Sequence, residues 1–195
     1  MMPQLHIPDS AAAERLKYEE MWDVEDYHKK SPGLESVDRF MSVIKPKRET
    51  MLLDAGCGAG VAGLEFASRG LDVHWLDITG FALKEDVPRN RFIEQPLWQH
   101  IPKPSPVHWQ WGFCCDVMEH IPPEYTMAVV LRLLRACRVV WFQIAFFPDG
   151  FGQAIGKDLH LTVMPYSWWL EHLSAVGKVI DARDLCGVGM FVVQA

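Results

Sequence analysis

Residues 52–60 read Leu52-Leu53-Asp54-Ala55-Gly56-Cys57-Gly58-Ala59-Gly60, and this stretch constrains the chain more than any other. Three glycines at alternate positions follow an apolar run that ends in a carboxylate. The pattern predicts a buried strand breaking into a tight turn, with the apolar periodicity from Val61 to Ala67 continuing as a helix. Glycine permits positive φ and lets a ligand approach where a Cβ would obstruct it. The helix start behind the turn offers free N–H groups and a positive dipole end to an anionic group. These are the parts of a nucleotide-binding turn in a doubly wound α/β sheet.

Two details narrow the reading. Asp54 closes the first strand, and the third glycine comes one residue earlier than in the dinucleotide fingerprint G-x-G-x-x-G. A second apolar run, Val73-His74-Trp75-Leu76, then ends in Asp77, 17 residues after Gly60. An acid at the tip of the second strand is where a ribose diol is gripped by charge-assisted hydrogen bonds.

The order D-x-G-x-G-x-G, helix, strand, acid resembles the Rossmann-like (class I) S-adenosylmethionine-dependent methyltransferases over roughly residues 50–145. The resemblance implies a mostly parallel seven-stranded sheet in the order 3-2-1-4-5-7-6, strand 7 antiparallel, with helices on both faces. It implies that Gly56, Cys57, Gly58 and Gly60 line the methionine end of the cofactor. Asp54 would orient the turn and the methionine ammonium, and Asp77, beside Ile78, would hold the ribose hydroxyls.

Length fits one domain over 1–195, with residues 1–44 as a helical cap or lid and 50–195 as the core. No stretch is long and apolar enough to span a membrane. The first ten residues lack the basic start and apolar core of a secretory signal. Five cysteines, an odd number without a C-x-x-C pair, predict reduced thiols in a cytoplasmic protein. A net charge of −6 disfavours a large nucleic acid as substrate, since such partners call for a basic surface.

Along the chain, residues 11–44 read as two helical pieces broken at Ser31-Pro32-Gly33, the first carrying Tyr18, Met21, Trp22 and Tyr27, which would suit a lid or simply pack on the sheet. Arg91–Glu94 reads as a short third strand. Gln95 to Trp98 would then lie near the adenine, although the family's usual acid is missing there. After a proline-rich loop come a fourth strand over Val107–Cys115, a helix over Glu124–Ala136 and a central fifth strand over Arg138–Ala145. A glycine-rich loop spans Phe147–Gly156, and a helix over Ser167–Ala175 has Ser167 as its N-cap. Lys178–Ala182 and Met190–Gln194 complete the sheet as a hairpin-like pair.

The fourth strand ends in Cys114-Cys115-Asp116-Val117-Met118-Glu119-His120-Ile121-Pro122. Groups at the carboxyl end of that strand face the crevice beside the glycine turn. Asp116, Glu119 and His120 stand at i, i+3 and i+4, the spacing that puts side chains on one side of a helical turn. The segment resembles the D/E-x-x-E-H stretch of small-molecule methyltransferases, where Asp116 and its neighbours line the cofactor pocket without a metal. It also resembles metal-dependent terminal 2′-O-methyltransferases of small RNAs, in which matching carboxylates and a later histidine hold a divalent ion. On that second resemblance Asp116, Glu119, His120 and His160 would be the ligands, a set suited to Mg²⁺, Mn²⁺ or a harder transition ion.

A sulfonium methyl donor is already activated, so the protein must align a nucleophile and exclude water, adding a base only for a hydroxyl or a protonated amine. Glu119, His120 and His160 are the candidate catalytic residues. No Asn/Asp-Pro-Pro-Tyr/Phe tetrad follows strand four, which disfavours methylation of base amino groups. The aromatic-rich loops, with Trp109, Trp111, Phe146, Phe147, Phe151, Tyr166, Trp168 and Trp169, suit either a planar ligand or a core. Three classes remain open. They are methyl transfer to a small-molecule oxygen nucleophile, metal-dependent methylation of an RNA or nucleotide end, and cofactor binding without methyl transfer.

Overall fold

β1 (Met51–Ala55) runs parallel to β2 (Asp72–Asp77), with Leu52 opposite Val73 and Asp54 opposite Trp75. β1 is covered on both faces, so it reads as a continuous apolar run instead of an alternation. A computed structural model describes residues 10–29, 31–99, 101 and 109–195. On one side β2 pairs with β3 (Phe92–Glu94). On the other, β1 pairs with β4 (Trp109–Cys115) and β4 with β5 (Cys137–Ala145), all parallel. β7 (Val188–Gln194) enters antiparallel between β5 and β6 (Lys178–Asp184), giving the order 3-2-1-4-5-7-6. This is the sheet that the resemblance implies.

The helices are α1 (Ser10–Trp22), α2 (Pro32–Ile44), α3 (Val61–Ser68), α4 (Pro123–Ala136) and α5 (Tyr166–Val176). Strand alternation splits the core in two. Cys114 joins the cluster that holds Val129 and Leu133 of α4 and Trp169 and Leu173 of α5. Phe113 and Cys115 join the cluster that holds Val37 and Phe40 of α2 and Ala62 and Phe66 of α3. Phe40 meets Phe66, Phe113 and Trp141 edge to face at centroid distances of 5.0, 5.6 and 5.7 Å, locking α2 and α3 to the sheet.

Three local expectations change. The break between the first two helices lies at 23–31, and Pro32 and Gly33 belong to α2. Proline is tolerated in a first helical turn because its missing N–H would be unpaired there anyway. A Cβ on Gly33 would stand 3.3 Å from that of Ala62, so the residue serves close helix packing. Ser167 is not the N-cap of α5. Pro165, extended at φ −69° and ψ 160°, takes that position, and its carbonyl accepts the N–H groups of Trp168 and Trp169. Finally, the proline-rich loop and positions 107–108 of the expected fourth strand lie outside the described residues.

Behind the glycine turn, α3 approaches the sheet closely. A Cβ on Gly63 would fall 2.0 Å from Trp75 Nε1, the indole nitrogen that donates to the Gly60 carbonyl at 3.1 Å. Gly63→Ala should therefore destabilise the fold by about 2 kcal/mol or more, through overpacking against a fixed ring. Gly150→Ala, where no atom lies within 4 Å of the added carbon, should change stability little. Urea denaturation of the two variants checks the contrast.

Candidate functional site

The turn after β1 is held by main-chain bonds from Gly56 and Cys57 to the Leu76 carbonyl, at 2.8 and 3.1 Å. Gly56, Gly58 and Gly60 all have positive φ, of 76°, 52° and 79°. Gly58 also needs its missing side chain for space, since a Cβ there would sit 3.0 Å from the Trp22 ring. Gly60 plays a different part from the one expected. It does not line the crevice, and its Cβ would strike Val87 at 2.7 Å, so it starts α3 over the core.

The two strand-end aspartates hold this turn. Asp77 Oδ2 accepts the Gly58 N–H at 2.8 Å, and its other oxygen accepts from Thr79 at 3.3 Å. Asp54 Oδ2 accepts the Gly63 N–H in the first turn of α3 at 3.0 Å. Burial raises both carboxyls, Asp54 to about 7 and Asp77 to about 6, against the pull of those N–H groups.

At the carboxyl ends of β1, β2 and β4 lies a crevice of about 760 Å³, within the range of small-molecule sites. Of the expected cofactor residues, Asp54, Gly56, Cys57, Gly58, Asp77, Ile78, Trp98 and Asp116 line it. Trp98 stacks on Tyr125 at 5.2 Å with the planes 10° apart, a rigid flat wall on the expected adenine side. His120 and His160 line it too.

Glu119 does not. It is completely buried behind the wall, where Oε1 accepts the Ala145 N–H at 2.6 Å and its carbonyl accepts from Leu161 and Thr162. Burial raises both carboxyls, and the neighbouring Asp116 pushes Glu119 further, well above the usual range, so of the two Glu119 holds its proton the more tightly. Asp116 sits in the left-handed region at φ 59°, a conformation aspartate tolerates better than most residues. Donor atoms of Glu119, His120 and His160 lie within 4.8 Å of one another, but Asp116 is not part of that group. Three of the four proposed metal ligands thus converge and the fourth does not.

The histidines differ. His160 Nδ1 lies 2.6 Å from the Phe147 carbonyl, which can only accept, so Nδ1 carries hydrogen and Nε2 keeps its lone pair when neutral. Burial, His160 and Lys17 lower His120 to about 3, leaving it neutral. The two rings meet edge to face at 4.6 Å.

α1 crosses the crevice and is tied at both rims. Arg15 pairs with Glu94 at 2.7 Å and Glu19 accepts from Thr79 at 3.0 Å on the β2–β3 side. On the other side Lys157 pairs with Glu20, and Lys17 donates to the Asp158 carbonyl at 3.4 Å. Tyr18, Trp22 and Tyr27 consequently face the crevice. The aromatic-rich segments divide. Phe147 and Phe151 line the crevice, whereas Trp109 and Trp169 are core. Glu35, Lys84 and Asp149 also line it and carry no motif that sequence reading could single out.

Solved structures share this architecture. The chain superposes over 100% of its length on 92% of 1,6-didemethyltoxoflavin-N1-methyltransferase of Burkholderia thailandensis, solved with 1,6-didemethyltoxoflavin and S-adenosylhomocysteine, at TM-score 0.69 and 15% identity. A TehB-like S-adenosylmethionine-dependent methyltransferase from Corynebacterium glutamicum matches with TM-score 0.62 and 18% identity, over 94% of this chain and 98% of that one. The chain has the class I S-adenosylmethionine-dependent methyltransferase fold. The cyclase SpnF has it too, at TM-score 0.65 and 12% identity over 83% of this chain and 80% of that one, so the fold alone does not name a reaction. No family model matches the chain, and no curated protein matches it in sequence.

The raised Asp54 carboxyl has a consequence for stability. Its folded-state pKa of about 7 exceeds the unfolded value, so protonation favours folding. That contribution is complete at low pH and is lost as pH rises through 7. Asp54→Asn, which keeps an acceptor for Gly63 without a charge, should melt progressively higher relative to wild type between pH 5.5 and 8, by roughly several degrees. Parallel thermal melts across that range check the trend.

Proposed function

We propose that the chain is an S-adenosylmethionine-dependent methyltransferase acting on an oxygen nucleophile of a small-molecule acceptor. The observation that carries this reading is the Asp77 carboxylate, fixed by the Gly58 N–H at 2.8 Å and lining the crevice beside the glycine turn. The residues fit the cofactor. Asp77 suits the ribose hydroxyls, Gly56 and Gly58 leave backbone bare for the methionine end, Asp54 offers negative charge behind the ammonium, and Trp98 and Ile78 flank the adenosine. Bound there, the sulfonium supplies a methyl carbon open to in-line displacement, with the C–S electron pair returning to sulfur.

The chain's own part is alignment, exclusion of water and removal of one proton. We assign the proton to His160, whose Nε2 lone pair is set by the Nδ1 contact with Phe147. Its exposure toward solvent lets the proton leave afterwards. His120 is too weakly basic for that role, and Glu119 is walled off from substrate, fixing instead the loop that carries His160 through Leu161 and Thr162. We read α1, tied to both rims, as the cover that keeps water out. Residues 1–44 would then be cap and 50–195 core of one domain. Among the described residues no helix is long and apolar enough to cross a membrane. Cys57, Cys114, Cys115 and Cys186 are free thiols, which suits a reducing, cytoplasmic setting.

The 4.8 Å convergence of Glu119, His120 and His160 supports a second reading, a divalent ion activating the acceptor as in an RNA-end methyltransferase. It is the weaker one, because Glu119 Oε1 already accepts the Ala145 N–H and Asp116 stands outside the converging group.

On the main reading Asp77→Ala weakens S-adenosylhomocysteine binding by about 1.5–3 kcal/mol, the loss of a charged acceptor. Calorimetry at pH 8, above the Asp77 pKa, checks it, and equal affinities would remove Asp77 from the site. His160→Ala lowers turnover with an accepted substrate by about 10²–10⁴ while cofactor affinity holds. EDTA leaves wild-type turnover unchanged on the main reading and abolishes it on the second.

A further inference from the structure

Seven side-chain polar atoms of the described residues are buried without a hydrogen-bond partner, and five belong to residues that do not line the crevice: His74, Trp109, Glu119, Trp141 and Trp169. The other two are the Tyr18 hydroxyl and His120 Nδ1, whose residues both line it. Their rings meet edge to face at 6.0 Å. A buried donor or acceptor left unmade is costly, so two of them together in a ligand-sized crevice mark where a ligand's polar atom completes the pairing.

The pair specifies what that atom is. Burial lowers His120 and raises the Tyr18 phenol, so both groups stay neutral. A neutral imidazole nitrogen accepts or donates according to the tautomer, and a phenol hydroxyl can do either. A single ligand hydroxyl, itself both donor and acceptor, can complete both atoms whichever tautomer His120 takes. Carboxylate and phosphate can only accept, and near them the crevice carries Asp116, with Glu35 and Asp149 close enough to act on its charge. The surroundings suit a flat apolar body. Tyr27 and Phe151 meet edge to face at 5.8 Å, and Phe147 lies 6.0 Å from the His160 ring.

We propose that the crevice takes a neutral, planar, hydroxyl-bearing acceptor, with one anchoring hydroxyl held between Tyr18 and His120. This rests on the methyltransferase reading for the word acceptor, but the binding itself does not. His160, 4.6 Å from His120 between ring centroids, then stands beside the anchor, where the attacking oxygen is presented. Tyr18 on α1 makes acceptor selection depend on the cover being in place.

The test uses three probes of one shape: 2-naphthol, 2-methoxynaphthalene, which cannot donate, and 2-naphthoate, which is anionic. Each is titrated by its fluorescence into the full-length protein saturated with S-adenosylhomocysteine, whose own affinity is measured first by calorimetry. We expect 2-naphthol to bind at least about ten-fold more tightly than either comparator, as sites built to pair a hydroxyl do. Tyr18→Phe should reduce that advantage to about three-fold or less. Equal binding of 2-naphthol and 2-methoxynaphthalene by wild type overturns the proposal, as does tighter binding of 2-naphthoate. An undiminished preference in a folded Tyr18→Phe variant overturns it as well. Wild type alone decides if that variant does not fold. Absent S-adenosylhomocysteine binding with the naphthol preference intact defeats the methyltransferase reading and leaves the subsite. The reverse pattern defeats the subsite alone.

Discussion

The hydrogen bond from the Gly58 N–H to Asp77 joins the turn after β1 to the tip of β2. Almost everything else at the site depends on it. A left-handed glycine turn has many conformations open to it. Two anchors select one: the Leu76 carbonyl takes the N–H groups of Gly56 and Cys57, and Asp77 takes that of Gly58. Asp54 adds a third constraint by holding the first turn of α3 through Gly63. The turn, the helix start and a carboxylate are thereby fixed against one another before any ligand arrives, which is what preorganisation of a binding site requires.

The arrangement places two carboxyls where burial opposes their charge. A buried aspartate is retained in spite of its desolvation cost, and here each is partly compensated by backbone donors. Both sit at the ends of parallel strands, where, on the proposed function, an incoming cation or diol would add a further partner. The same logic divides the acidic pair after β4. Glu119 holds its proton the more tightly and works structurally, binding Ala145 and the 161–162 backbone, while Asp116 lines the crevice.

Strand order, helix positions and most cofactor-side residues were legible because they follow from local patterns: apolar runs, glycine spacing and acids at strand ends. Gly60 and Glu119 show where such reading stops. Both stand at the spacing a ligand-facing residue would have, yet Gly60 is glycine because Val87 crowds it and Glu119 points away into the core. Nothing in a linear spacing tells which wall of a turn a side chain will occupy. His160 is the opposite case. Only the resemblance, and no local spacing, pointed to it, and it is brought to the crevice by the Leu161 and Thr162 bonds to Glu119 and by Phe147, contacts far apart in sequence. Tyr18, Trp22 and Tyr27 could be read equally as lid or core, and only the ties of α1 to both rims set them over the crevice.

The central claim is that this crevice holds S-adenosylmethionine and its product across the glycine turn. A crystal structure of the protein grown with S-adenosylhomocysteine tests it most directly. The account predicts both ribose hydroxyls within hydrogen-bond distance of Asp77, the methionine chain over Gly56 and Gly58, and the sulfur facing His120 and His160. Density for the ligand elsewhere, or a clear crevice in crystals saturated with it, would contradict the account.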